Sequence, residues 1–347
     1  MITRTAILTA LFSTASIHGF APISIGQTIR ISGNDSISIS ALSMASNANE
    51  IVQLKQGSTV ALVTPMNTDG TIDFPSLRTI LQFHKENKTD GLCILGTTGE
   101  ASLLTMAERK AVLDVAVEEV KGSIPIMVGT GAIDPVAVRE MTMQAIDCGC
   151  DASLVVSPPY IKPPQRGLID HFTKMADLGL PVVVYNVPGR TAVDVLPETI
   201  GICAEHDNIV AVKEATGDVS RVQTIRGVTK GLKTPLLLYS GDDATEAEFV
   251  LKGGDGCISV TANVAPLAMH NMMMAGLQGD AAEAMRINET LESVHSNIFC
   301  EANPIPAKWA LKRMGKITTG YCRPPLVELD ESYFTLVEES LKKAGAL

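Results

Sequence analysis

Residues 181–217 read PVVVYNVPGRTAVDVLPETIGICAEHDNIVAVKEATG, and the order of events within them sets the fold. A short apolar run, Pro181 to Tyr185, gives way to a turn. A stretch opened by Leu196-Pro197-Glu198 follows, and then a second apolar run, Ile209 to Val212. Proline is preorganised for the first position of a helix. The segment therefore reads as strand, crossover helix, strand, the repeating unit of a parallel sheet.

Working outward, the same unit recurs. Strand-like runs occupy Thr59 to Pro65, Gly91 to Leu95, Pro125 to Val128 and Ala152 to Val156 before this segment, and Pro235 to Tyr239 and Cys257 to Val260 after it. With the two quoted above they make eight. Between them lie helical patterns such as Thr105 to Val120, where Met106, Val112, Leu113, Ala116, Val117 and Val120 recur near a 3.6-residue period. Asp73-Phe74-Pro75 and Asp134-Pro135 carry helix-start signals. Eight such units predict an α/β fold of the (β/α)8 TIM-barrel class. An open doubly wound sheet would want a Gly-rich turn after its first strand, and Val63-Thr64-Pro65-Met66 offers none. Beyond the eighth unit, Asp280 to Leu347 holds no strand-like run but three helical stretches, broken by Asn303-Pro304-Ile305-Pro306 and Arg323-Pro324-Pro325. The expected layout is a barrel over 49–279 and a C-terminal helical extension over 280–347, whose pattern does not choose between packing on the barrel and making subunit contacts.

The 347 residues are 46% hydrophobic and only 4% aromatic, so the core is expected to be aliphatic. A formal charge of −10 argues against a nucleic-acid binder, and a small anionic substrate would need a local positive site. Seven cysteines without paired CxxC spacing read as free thiols, and six scattered histidines show no ligand spacing. No metal is expected. Residues 1–48 differ in kind: Arg4, Arg30 and Asp35 are their only charges, and an apolar stretch from Ala6 to Phe12 turns Ser/Thr-rich. With Phe20-Ala21-Pro22 as a junction, this resembles the bipartite presequence, signal plus transit peptide, of algae whose plastid lies behind additional membranes. The expected location is the plastid; the competing readings are a simple secretory signal and a disordered tail. After processing, a soluble chain without membrane attachment is expected.

In a barrel of this class the reacting groups come from the C-terminal ends of strands and the loops after them. There Lys213 terminates an apolar run. If it points into the barrel mouth, desolvation would disfavour its ammonium form, and a neutral amine can form a Schiff base with a carbonyl. The alternative is a lysine that snorkels to solvent. Tyr185 ends the preceding strand and can exchange protons, or simply sit at the rim. Thr97 and Thr98, within Gly96-Thr97-Thr98-Gly99-Glu100, offer hydroxyl and N–H groups to a carboxylate, although small polar residues also fill ordinary loops. Arg190 could clamp a second carboxylate or lie idle on the surface. Asp242-Asp243 could suggest cation binding, but two adjacent carboxylates without the oxygen-rich spacing of a calcium loop read instead as a cap for a helix from Ala244 to Leu251.

Taken in order, GTTGE at 96–100, YNVPGRT at 185–191, KEATG at 213–217, SGDD at 240–243, ISVTANV at 258–264 and NPIPAKW at 303–309 resemble the dihydrodipicolinate synthases, from about Val60 to the C-terminus. The resemblance implies a pyruvate-dependent lyase of the Schiff-base aldolase superfamily, joining pyruvate to L-aspartate 4-semialdehyde in the diaminopimelate route to L-lysine, with no cofactor. It implies Lys213 as the Schiff-base amine. Thr97, Tyr185 and Tyr160 would form a proton relay, Tyr160 crossing from a partner subunit, so a homodimer or homotetramer is expected. Thr98 would contact the pyruvate carboxylate and Arg190 the semialdehyde carboxylate, with Gly241 and Ile258 lining the site through backbone groups. Related N-acetylneuraminate and keto-sugar-acid aldolases share the lysine but generally lack an arginine in that turn; a barrel that had lost catalysis would lack Lys213 or Tyr185. At positions matching the lysine-feedback site of inhibited members stand Ala101, Met106, Arg109, Ile133, Ala137 and Pro159. They remove acceptors that an ammonium group needs and add a cation, so weak or absent inhibition by L-lysine is expected, which a submillimolar half-maximal inhibition would contradict.

Overall fold

The structure is a computed structural model and describes residues 54–347; the expected targeting segment, 1–48, lies outside the described residues. Eight parallel strands close into a barrel in sequence order, β8 pairing with β1. They are β1 (Gly57–Ala61), β2 (Gly91–Ile94), β3 (Ile126–Gly129), β4 (Ala152–Val156), β5 (Val182–Asn186), β6 (Ile209–Glu214), β7 (Leu237–Ser240) and β8 (Gly256–Ser259). The helices that return the chain between them are α1 (Phe74–Glu86), α2 (Met106–Val120), α3 (Pro135–Asp147), α4 (Gln165–Ala176), a single turn α5 (Pro188–Thr191), α6 (Pro197–Cys203), α7 (Arg221–Val228), α8 (Glu246–Leu251) and α9 (Pro266–Leu277). Three more, α10 (Ala281–Asn297), α11 (Ile305–Arg313) and α12 (Phe334–Lys343), form the C-terminal extension.

Helix starts follow local chemistry. Asp73 and Asp134 accept backbone N–H groups at the heads of α1 and α3, each followed by a proline within the first turn, and Thr105 with Glu108 closes a capping box on α2. Three strands run past their apolar runs. β5, β6 and β7 continue into Asn186, Glu214 and Ser240, polar residues that an apolar criterion excludes. They remain in the ladder because, at this end, hydrogen-bonding partners wait for them: Asn186 Nδ2 meets the Glu214 carboxylate at 3.2 Å, and Arg221 Nε donates to the same carboxylate at 2.9 Å. β1 differs the other way, its pairing ending at Ala61 while the apolar run goes on to Pro65.

Side chains alternate across the barrel wall as a strand's two-residue period requires. Val183 and Tyr185 of β5 and Ala211 of β6 join the interior cluster with Ala61, Cys93, Tyr239 and Ile258, whereas Val182, Val184 and Val212 pack outward beneath the helices. The extension packs on the barrel: α10 lies against α9, and Trp309 of α11 stacks on Phe334 of α12 at 4.8 Å. One fully buried ion pair, Lys308 Nζ to Glu100 Oε1 at 2.7 Å, joins α11 to the loop after β2. Removing one partner of such a pair strands the other charge, at a cost of about 3–5 kcal/mol.

Candidate active site

Lys213 sits at the fifth position of β6 and faces the barrel interior, with 6% of its surface exposed. Strand register places it beside Tyr185 of β5 on one flank and Tyr239 of β7 on the other. Its Nζ lies 4.6 Å from the Tyr185 ring centroid. The stem of the lysine is held by close packing: a β-carbon built on Gly241 would come within 2.6 Å of Lys213 Cε and 2.8 Å of Ala215 Cβ. Only a hydrogen atom fits there, and Gly241 N also donates to Glu214 O at 2.7 Å. The expectation of a lysine in the barrel mouth holds in its geometry, and the snorkelling alternative does not.

Above the amine opens a cavity of about 210 Å³ bordered by Thr97, Thr98, Tyr185, Arg190, Lys213 and Gly241. Six of the eight residues singled out from sequence thus share one wall. Thr97 and Thr98 are presented by a tight turn in which Gly99 N donates to Gly96 O at 3.1 Å and Glu100 takes a left-handed conformation, φ 54°. Thr64 Oγ1 pins that turn through Gly99 O at 2.8 Å, and the Lys308 pair pins it through Glu100. Arg190 projects from α5, whose Thr191 is buried and hydrogen-bonded to the carbonyls of Val187 and Val193. The Arg190 guanidinium has no hydrogen-bonding or ionic partner among the described residues, so its fork faces the cavity without an internal counter-charge.

Two expected residues stand elsewhere. Ile258 is buried in the interior cluster beneath the cavity and does not border it. Tyr160 is 86% exposed on the loop after β4, in a left-handed conformation of φ 72°, and reaches neither this cavity nor its neighbour in its own chain. The reading of Asp242-Asp243 as a helix cap is corrected. Asp243 is buried and accepts Ser259 Oγ and Thr261 N, each at 2.7 Å, and Val260 N at 3.2 Å, so it organises the turn after β8. Asp242 accepts the Thr245 hydroxyl at 2.7 Å, and α8 begins only at Glu246 after a 3-10 turn. A hydroxyl at the end of β8 and two backbone N–H groups after it, 16 to 18 residues on, outbid the helix end, which sequence-local rules do not anticipate.

The structure adds residues that the strand-end reading missed. Asn303 borders the cavity and donates Nδ2 to Thr98 Oγ1 at 2.9 Å. Its signal was visible in Asn303-Pro304-Ile305-Pro306, which read as a helix break and as part of the family motif but not as a site residue. Cys93 also lines the cavity, and burial pushes its thiol up to about 11 against the pull of the Lys213 charge. A thiol held protonated at neutral pH does not compete with the amine for an electrophile. A second cavity of about 220 Å³ adjoins the first, sharing Thr97, Tyr185 and Arg190 and adding Ala101, Ser102 and Pro159. Among the remaining positions matched to a feedback site, Met106 and Ile133 are exposed, while Arg109 is buried, donates to Gly129 O at 2.7 Å, and is pushed down to about 10 by burial.

What this arrangement can do is form an imine and move protons around it: an amine in a closed pocket, a phenol beside it, hydroxyls on the facing turn and a guanidinium at the rim. Residues 54–344 match the family described as the "Dihydrodipicolinate synthetase family". Two relatives named 4-hydroxy-tetrahydrodipicolinate synthase, from Shewanella frigidimarina and Saccharophagus degradans, are 46% and 47% identical over 289 and 293 residues, covering 83% and 84% of this chain and 97% and 99% of theirs. Among solved structures, the chloride-inhibited dihydrodipicolinate synthase of Acinetobacter baumannii complexed with pyruvate superposes with a TM-score of 0.81 at 44% identity, over 84% of this chain and 99% of that one. That of Cyanidioschyzon merolae with lysine bound gives 0.81 at 32% identity, over 85% of this chain and 100% of that one.

Proposed function

Because the chain belongs to the dihydrodipicolinate synthetase family, we propose that Lys213 is the amine through which it acts on pyruvate. The chain is a lyase-class enzyme that condenses pyruvate with L-aspartate 4-semialdehyde to 4-hydroxy-tetrahydrodipicolinate, and enzymes of this family use a Schiff base with pyruvate and need no cofactor. The free amine of Lys213 adds to the C2 carbonyl of pyruvate; loss of water leaves the imine. Removal of a methyl proton gives the enamine, whose carbon attacks the semialdehyde aldehyde. The substrate's own amine then displaces Lys213 from C2, closing the ring and freeing the enzyme.

In this reading Tyr185 and Thr97 pass the protons, helped by Tyr160 of a second copy. Thr98, steadied by Asn303, takes the pyruvate carboxylate, Arg190 takes the carboxylate of the semialdehyde, and Gly241 leaves room for the lysine stem. The observation that carries it is the convergence of Lys213, Tyr185, the threonine turn and Arg190 on one cavity of about 210 Å³. Incubation with pyruvate and borohydride should add a reduced pyruvyl mass to the peptide containing Lys213, and Lys213→Ala should abolish both the adduct and turnover; an adduct that persists in the variant would refute the assignment. The composition of residues 1–48 supports delivery to a plastid. A fluorescent protein fused behind those residues should light the plastid, and signal confined to the endoplasmic reticulum or the medium would end that reading.

A further inference from the structure

Behind the lysine strand lies a group of side chains that the reaction does not use. Asp243 in the turn after β7, Glu246 at the head of α8 and His295 near the end of α10 each place one potential ligand atom within 4.8 Å of the other two, and all three residues are buried. Asp243 and Glu246, three apart, meet on one side of the 3-10 turn and the helix that follows it, while His295 comes from the C-terminal extension. The orientation is built by donors around the cluster. Asp243 is held by Ser259 Oγ, Val260 N and Thr261 N. Thr261 also engages His295 Nδ1 through its hydroxyl at 2.9 Å, which leaves Nε2 free. One residue thus aims both a carboxylate and an imidazole.

Within this frame three atoms have no partner among the described residues. Both Glu246 oxygens are fully buried with no nitrogen or oxygen partner, only the weakly donating Cys257 thiol being near, and His295 Nε2 is likewise unmet. Buried polar atoms left unmet are costly and uncommon in folded proteins. A water molecule could meet two of them, but the set is rich in lone pairs: two carboxyl groups and an imidazole whose Nδ1 faces a hydroxyl. An electron-pair acceptor of charge +2 meets all three and balances both carboxylates. Imidazole among the ligands and only three side chains fit a borderline transition ion with bonds of about 2.0–2.2 Å; calcium asks for six to eight oxygens. The Thr261 hydroxyl on the far nitrogen of His295 fixes the ring, as second-sphere partners do for metal-bound histidines.

We propose that Asp243, Glu246 and His295 form a structural site for one divalent transition-metal ion, with Zn²⁺ as its representative. The ion ties the turn after β7, the head of α8 and helix α10 together below the barrel mouth. It takes no part in imine chemistry, which needs no metal, and the site stands independently of the role given to Lys213. The dispersed positions 243, 246 and 295 show no ligand spacing in the sequence, which is why no metal was expected there.

The test uses the full chain stripped with a chelator, dialysed against Zn²⁺ and then against buffer, with bound metal measured by elemental analysis and unfolding followed by heat. The wild type should retain about one more Zn²⁺ per chain than Glu246→Gln, a near-isosteric change that removes the charge, and Zn²⁺ should raise its Tm by several degrees while leaving that of the variant unmoved. Comparison with the variant subtracts zinc held by free cysteines. Co²⁺ in place of Zn²⁺ should give visible absorption bands that both Glu246→Gln and His295→Gln lose. Equal zinc retention by wild type and variant, or none by the wild type, overturns the proposal; should Glu246→Gln fail to fold, His295→Gln supplies the same comparison.

Discussion

Lys213 owes its position to its neighbours as much as to its own strand. Period-two alternation turns it inward with Ala211, register puts Tyr185 beside it, and Gly241 leaves the gap its stem occupies. The glycine is not there for backbone freedom; its φ lies outside the left-handed range, and the neighbouring lysine stem and Ala215 forbid a side chain. Gly241→Ala should therefore fold but displace the Lys213 amine. Misplacing a reacting group by about 1 Å can cost roughly 100-fold, so the variant should trap pyruvate with borohydride about that much more slowly, with its circular dichroism unchanged. Trapping at the wild-type rate would show that the packing around the lysine stem is slack. At this scale the sequence was legible wherever a residue's own strand determined its direction, as for Lys213 and Tyr185. It was not legible for Asp243, whose partners on β8 and the turn after it are side-chain and backbone donors that no local pattern announces.

At the scale of elements, α1 carries a buried histidine whose titration is tied to folding. His84 is fully enclosed, its Nδ1 paired with Thr89 Oγ1 at 2.9 Å, and burial pushes it down from 6.5 to about 3. Between those two values the unfolded chain takes up a proton that the folded chain refuses. Stability is therefore unaffected above the unfolded value and falls as the pH drops below it, by about 1.4 kcal/mol per pH unit for this group. His171 and His295 are shifted down by burial as well and add to the same limb. Urea midpoints measured from pH 7.5 down to pH 4.5 should decline on acidification, and His84→Gln should make the decline shallower by about one proton's worth. An unchanged slope in that variant would mean that His84 is solvated. Strands and helices at this level were readable because their periods and caps are written locally. The strand ends were not, because Asn186 and Glu214 stay in the sheet through contacts with each other and with Arg221 on α7.

For the whole molecule, the exposed Tyr160 is the main geometric clue to assembly. With Ile161 on the same loop, Ile133 and Val136 after β3, and Met106 at the head of α2, it adds to the large apolar side chains left exposed at one end of three consecutive strands. A dimer that covers them and exchanges Tyr160 between sites makes a checkable claim. Lys213→Ala and Tyr160→Phe chains should each be nearly inactive alone, yet after mixing and reassembly regain up to about a quarter of wild-type activity, since half of the dimers would be mixed and each would hold one intact site. A mixture no more active than its parts would rule the exchange out. The barrel and the inward-facing lysine strand were determined by the sequence alone, because alternation, caps and turn residues act over a few positions. Tertiary structure alone decided that Asn303 supports Thr98 across 205 residues, that Lys308 buries its charge against Glu100 across 208, and that Asp243, Glu246 and His295 converge. Those pairings arise only when the closed barrel brings its C-terminal helices back over its own mouth, and no period in the chain records a contact made by closure.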